Sequence, residues 1–174
     1  MKKHLPIFAY GVLITLVGIF LFFSKGCSFE TIKLVMGITS MSGAILAFIA
    51  AFSRERKAVQ FAYHEMHALA MLAFGTSLMV FCDSYDKLVS FTAFLLIFYS
   101  FSEIIFCNWL FNLRNKVIYK IIALRLFLGL AIGIGTVIAI NASTLTLEYF
   151  GILFILVGIN VIFYVPVTDS RKNE

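Results

Sequence analysis

The stretch LPIFAYGVLITLVGIFLFF, residues 5–23, contains no charged side chain. At 1.5 Å of rise per residue it makes a helix about 28 Å long, close to the ~30 Å hydrocarbon thickness of a bilayer. A soluble helix of that length needs a polar stripe at helical spacing to face water, and this one has almost none. Five further apolar segments have the same character: Thr31–Phe52, Met66–Cys82, Leu88–Phe111, Val117–Ile140 and Leu145–Pro166. The links between them leave little chain for a soluble domain. Residues 1–174 therefore read as a single membrane domain, an all-α membrane protein of six transmembrane helices. Composition agrees: the chain is 13% charged, against about 25% in soluble proteins.

The charges that remain follow topology. Lys2, Lys3, Arg54, Arg56, Lys57, Arg114, Lys116, Lys120, Arg171 and Lys172 fall at the N-terminus, the second link, the fourth link and the tail. The other side holds Lys25, Lys33 and Lys87 beside Glu30, Asp83, Asp86 and Glu148. Positive loops face the cytoplasm, so both termini are expected inside. A net charge of +5 is thus accounted for by the bilayer, and no nucleic-acid partner is expected. The first segment is longer than the apolar region of a signal peptide, about 7–15 residues, and no small-x-small site follows it. It is expected to be retained as a span.

The segments also repeat. Gly18, Gly75 and Gly135 recur at offsets of 57 and 60 residues, Lys33-Leu34-Val35 returns as Lys87-Leu88-Val89, and Gly37-Ile38 as Gly151-Ile152. This predicts three like-oriented helical hairpins, about 1–57, 58–115 and 116–174, related by an axis along the membrane normal.

The runs Tyr10–Ile19 with Gly37–Gly43, and Gly129–Gly135 with Gly151–Ile159, resemble the short hairpin repeat of the HdeD family of small bacterial inner-membrane proteins. The resemblance covers essentially the whole chain. It departs in lacking a proline in the external links and in carrying Phe91 and Phe101 where the other units suggest glycine. What the resemblance implies is a multi-pass protein of the bacterial inner membrane, non-enzymatic, acting in envelope or acid-stress tolerance. It would have no cofactor, no known small-molecule substrate, and partners that are the bilayer, itself or other membrane proteins. The alternative class is a small proton- or solute-conducting transporter.

Within the spans, small residues mark helix contacts, because lipid gives helices no hydrophobic reason to meet and close backbone approach supplies the association. Gly11 and Gly18 share a face with Thr15. Gly37 and Gly43 lie on the second span, Gly129 and Gly133 on the fifth, and Gly151 and Gly158 on the sixth. The sharpest pair is Glu103 and Arg125. A charge inside a span costs about 2.5–3.5 kcal/mol even on the lenient insertion scale. The hairpin of the fourth and fifth spans turns near Arg114, eleven residues from each, which sets them at one depth on faces carrying Ser100 and Cys107, and Gly129 and Thr136. A neutralising ion pair is expected. Asn160, with Tyr10 and Tyr99, falls near that level and extends the prediction to a polar cluster, either a structural lock or an ion or ligand site.

Other chemistry is thin. His64-Glu65-Met66-His67 lacks the spacing and third ligand of a metal site and is expected at the cytoplasmic mouth of the third span, in a link running from Ser53 to Glu65. Arg54–Lys57 suggests an interfacial helical turn. Trp109, Tyr119, Tyr149 and Tyr164 read as interface aromatics. Cys27 and Cys82 both lie near the external side, where a disulfide and two free thiols are each compatible with the sequence.

Overall fold

Side chains in the connections set where helices begin. Ser28 Oγ accepts from the Thr31 backbone N–H at 3.2 Å and Thr146 Oγ1 from that of Tyr149 at 3.2 Å, each satisfying a donor that a helix N-terminus leaves unpaired. Glu30, Asp86 and Glu148 stand in first turns, where a carboxylate complements the helix dipole. Gly26, with φ of 100°, takes the chain through the left-handed region between the first two helices. The computed structural model describes residues 5–52, 59–111, 119–142 and 146–164. In them the chain forms α1 (Leu5–Phe22), α2 (Phe29–Phe52), α3 (Val59–Phe81), α4 (Tyr85–Phe111), α5 (Tyr119–Asn141) and α6 (Leu147–Ile162).

The protein is thus all-helical, and α1, α2, α4 and α5 are long and apolar enough to cross a membrane. α3 carries His64, Glu65 and His67, and α6 has 16 residues, so neither meets that standard. Outward faces carry Leu16, Ile45, Phe94, Phe101, Phe127 and Ile138, each more than half exposed. A soluble monomer rarely exposes so much contiguous apolar surface; a bilayer solvates it. The expected turn at Arg54–Lys57 lies outside the described residues. α3 starts at Val59 rather than near Met66, so residues 59–65, expected to belong to a link, are instead its first two turns.

Each helix packs on its chain neighbours and α6 closes back on α1, but the seams differ. The extensive ones are α1 with α6, α2 with α3, and α4 with α5; the others are looser. Glycine explains the difference. At the α1–α6 seam a Cβ on Gly18 would stand 2.6 Å from the Ile155 backbone nitrogen, and one on Gly158 would stand 2.7 Å from the Gly11 carbonyl oxygen. A Cβ on Gly151 would lie 2.6 Å from the Phe22 nitrogen. The two backbones touch. α2 and α3 approach at Gly37 and Gly75, where a Cβ on Gly75 would meet the Gly37 carbonyl oxygen at 3.1 Å. Gly43 receives the ring of Tyr10 instead, whose Cε2 would be 3.0 Å from an added Cβ, seating α1 on α2.

Because the atoms facing Gly18 are backbone, they cannot swing aside. Gly18→Ala gains about 0.5–1 kcal/mol of helix propensity, yet overpacking of this kind costs about 1–3 kcal/mol. The variant should therefore melt below the parent protein in detergent. A melting temperature equal to or above the parent's would mean that the α1–α6 seam is not closed backbone to backbone.

Candidate functional site

Glycine also places the buried charges. Gly129 on α5 lies against the Glu103 side chain, whose Cγ would be 2.9 Å from an added Cβ, and Gly133 lies against Ser100. Ser100 Oγ donates to the Gly129 carbonyl at 2.6 Å. The approach puts Arg125, one turn before Gly129, directly on Glu103. Arg125 Nε donates to Oε1 at 2.7 Å and Nη2 to Oε2 at 2.9 Å. This is a bidentate fork, the strongest neutralising arrangement available to a carboxylate. Neither residue has any exposed surface.

Four more side chains complete the site. The Tyr63 hydroxyl donates to Glu103 Oε2 and accepts from Arg125 Nη2 at 3.0 Å, bridging the pair from α3. The Cys107 thiol donates to Oε1 at 3.3 Å. Each Glu103 oxygen therefore accepts two hydrogen bonds, the full capacity of an ionised carboxylate. The guanidinium is walled by aromatic faces, its Cζ lying 5.2 Å from the Tyr164 ring centroid, 5.4 Å from Phe106 and 5.8 Å from Tyr63. Cations over rings at this range are stabilised by the ring quadrupole, more so when desolvated. Arg125 Nη1 has no hydrogen-bond partner among the described residues.

Asn160 does not touch the ion pair. Its Nδ2 donates to Tyr99 Oη at 2.8 Å, and a string of rings joins the two centres. Tyr99 meets His67 edge-on at 5.3 Å, and His67 meets Tyr63 at 4.4 Å. Ser102 Oγ donates to the Tyr99 carbonyl at 2.8 Å, so toward His67 Nε2, 3.2 Å away, it accepts. That assigns the His67 proton to Nε2 and leaves Nδ1 as an acceptor. Tyr10, His67 and Tyr99 line a cavity of about 20 Å³ among α1, α3, α4 and α6, together with Ile14, Met71, Leu96, Phe154 and their neighbours.

Several expectations are corrected. His64 and His67 are 1% and 5% exposed; they lie on α3 and face the interior of the bundle, because α3 begins early enough to carry them. Tyr164 is 1% exposed and packs on Arg125, not in an aromatic belt. Tyr149 donates to the Gly135 carbonyl at 2.8 Å, tying α6 to α5. Cys27 and Cys82 are free thiols; Cys82 is buried and its sulfur lies 3.6 Å from the Ser84 carbonyl oxygen. Among the described residues no three His, Cys, Asp or Glu side chains converge as metal ligands. No protein-family model, characterised protein or solved structure matches this chain.

The interlocked geometry makes a double-mutant cycle informative. Glu103→Gln strands a buried cation and should cost about 3–5 kcal/mol, as should Arg125→Gln in the opposite sense. The double variant should recover most of that loss. Tyr63→Phe removes hydrogen bonds to charged groups, worth about 1.5–3 kcal/mol, and should destabilise only while the pair is present. Thermal melting of the detergent-solubilised variants reads these outcomes. Additive losses in the double variant would mean that the charges do not meet.

Proposed function

We propose that this chain is a non-enzymatic integral membrane protein in which all six helices cross the bilayer, with both termini cytoplasmic, and in which the buried charges hold the bundle together rather than carry protons or solute. The observation that carries this reading is the saturation of Glu103, whose oxygens are filled by Arg125, Tyr63 and Cys107. A carboxylate so held is poorly placed to release and rebind a proton. The small cavity, about 20 Å³, has room for about one water. Transport sites generally form where a helix is broken near the midplane. The six helices here are uninterrupted, and Pro6 sits in the first turn of α1.

Three like-oriented hairpins are supported by the alternation of close and loose seams around the bundle. Gly18 with Gly151, and Gly75 with Gly37, occupy corresponding places on two of the close seams. The third departs: Gly133, not Gly135, faces α4. The glycine pattern is also the ground for an HdeD-like role in acid or envelope stress at the bacterial inner membrane.

Topology has a direct test. In a cysteine-free background, cysteines replacing Lys25 and Asp83 should react with an impermeant maleimide in intact cells, and those replacing Lys57 and Asn115 only after lysis; the reverse pattern overturns the orientation. In liposomes the purified protein should leave an imposed proton gradient as stable as in empty vesicles. A leak abolished by Glu103→Gln would instead make it a transporter. Cells lacking the protein should survive acid challenge less well, and equal survival would remove the stress role.

A further inference from the structure

The looser seam between α3 and α4 is open toward the lipid side. Ala70, Ala73 and Ser77 on α3 stand where α4 presents Phe91, Phe94 and Phe98, and the small side chains leave a groove of about 420 Å³. That volume lies in the range of small-molecule pockets, about 300–1,000 Å³. No charged side chain lines it. A groove of this kind by itself would accept any acyl chain, but what lies behind it is selective. Ala70, Leu95 and Phe98 are walls both of the groove and of the small cavity that Tyr10, His67 and Tyr99 line. Beyond the apolar slot, therefore, lies a largely apolar space the size of a single oxygen-centred group, to which Tyr10, His67 and Tyr99 contribute the polar side chains.

The hydrogen bonding of that space defines the group it would take. Tyr99 Oη already accepts from Asn160 Nδ2, so its own O–H is a donor. His67 has its proton on Nε2, engaged by Ser102, so Nδ1 is an acceptor. With the Tyr10 hydroxyl on the same wall, the three side chains offer both donors and an acceptor, which complements a hydroxyl, itself both. A phosphate head or a quinone ring exceeds about 20 Å³, and a carboxylate would bring an uncompensated charge into low dielectric. We propose that the α3–α4 groove binds a neutral single-chain lipid alcohol, its chain along Phe91, Phe94 and Phe98 and its hydroxyl against His67 and Tyr99.

The inference rests on the membrane placement proposed above, which the maleimide labelling tests independently. The probe is a hexadecanol with a diazirine beside the hydroxyl-bearing carbon, photolysed with the full-length protein in phosphatidylcholine nanodiscs. Adducts should map to α3 and α4 around His67 and Tyr99. Excess hexadecanol should suppress them about tenfold more effectively than hexadecane does, a difference of ~1.4 kcal/mol. Ala73→Leu fills the groove without touching the polar residues and should abolish labelling while the protein stays monodisperse; Ser77→Leu serves the same purpose if that variant misfolds. Tyr99→Phe should keep the chain site but lose the preference for alcohol over alkane. Equal competition by hexadecane, labelling spread over all seams, or labelling unaffected by the groove-filling variants would each overturn the proposal.

Discussion

Arg125 and Glu103 are opposite charges placed where the surroundings cannot solvate either, and much of the bundle's interior is arranged around that constraint. In low dielectric an unpaired ion costs several kcal/mol even after relaxation, and its attraction to a partner repays the cost only with excellent geometry and filled lone pairs. Gly129 and Gly133 let α5 come close enough for a two-bond fork, Ser100 fastens the approach to the Gly129 carbonyl, and Tyr63 reaches from α3 to close the remaining oxygen site. The aromatic faces of Phe106 and Tyr164 then exclude lipid from the guanidinium. Charge, rather than hydrophobicity, thereby couples three helices at one level.

The α1–α6 seam solves the association problem differently. Among the described residues it has no ion pair; four glycines bring backbone against backbone, and Thr15 ties its hydroxyl back to the Gly11 carbonyl at 2.9 Å. Dispersion over a long, close contact replaces electrostatics. The consequence is a bundle with close seams and looser ones, and the looser α3–α4 seam carries an open apolar groove. α4 makes polar contacts on both sides, Ser100 and Glu103 toward α5 and Glu103 and Ser102 toward α3, while Phe91 and Phe94 face the α3–α4 groove.

What could be read in advance follows the physics of each element. Six helices were legible because charge-free runs leave few alternatives, and the meeting of positions 103 and 125 followed from counting residues on either side of a short antiparallel turn. Tyr63 was missed because hydropathy alone placed the start of the third helix at Met66, after it, and His67 was left in the first turn of that segment, at its mouth. A signal was present: Tyr63, His67, Met71, Phe74 and Leu78 form a stripe at helical spacing, and all are buried. Reading that stripe as one face would have extended the helix backward and turned its polar residues inward. Tyr164 was misplaced for a related reason, since an aromatic near a helix end looks the same whether it faces headgroups or a buried cation. Asn160 sat at the expected level but found a tyrosine instead of a charge, because depth does not specify which neighbour a side chain reaches.

The central claim is that Glu103 and Arg125 are in direct contact within the bilayer. Solid-state NMR on protein in lipid vesicles, with ¹⁵N in the arginine guanidinium and ¹³C in the glutamate carboxyl, measures that contact through its dipolar coupling. The account predicts a strong coupling that disappears in Glu103→Gln and weakens little in Tyr63→Phe. Absence of that coupling in the native protein, or its persistence in Glu103→Gln, would contradict it.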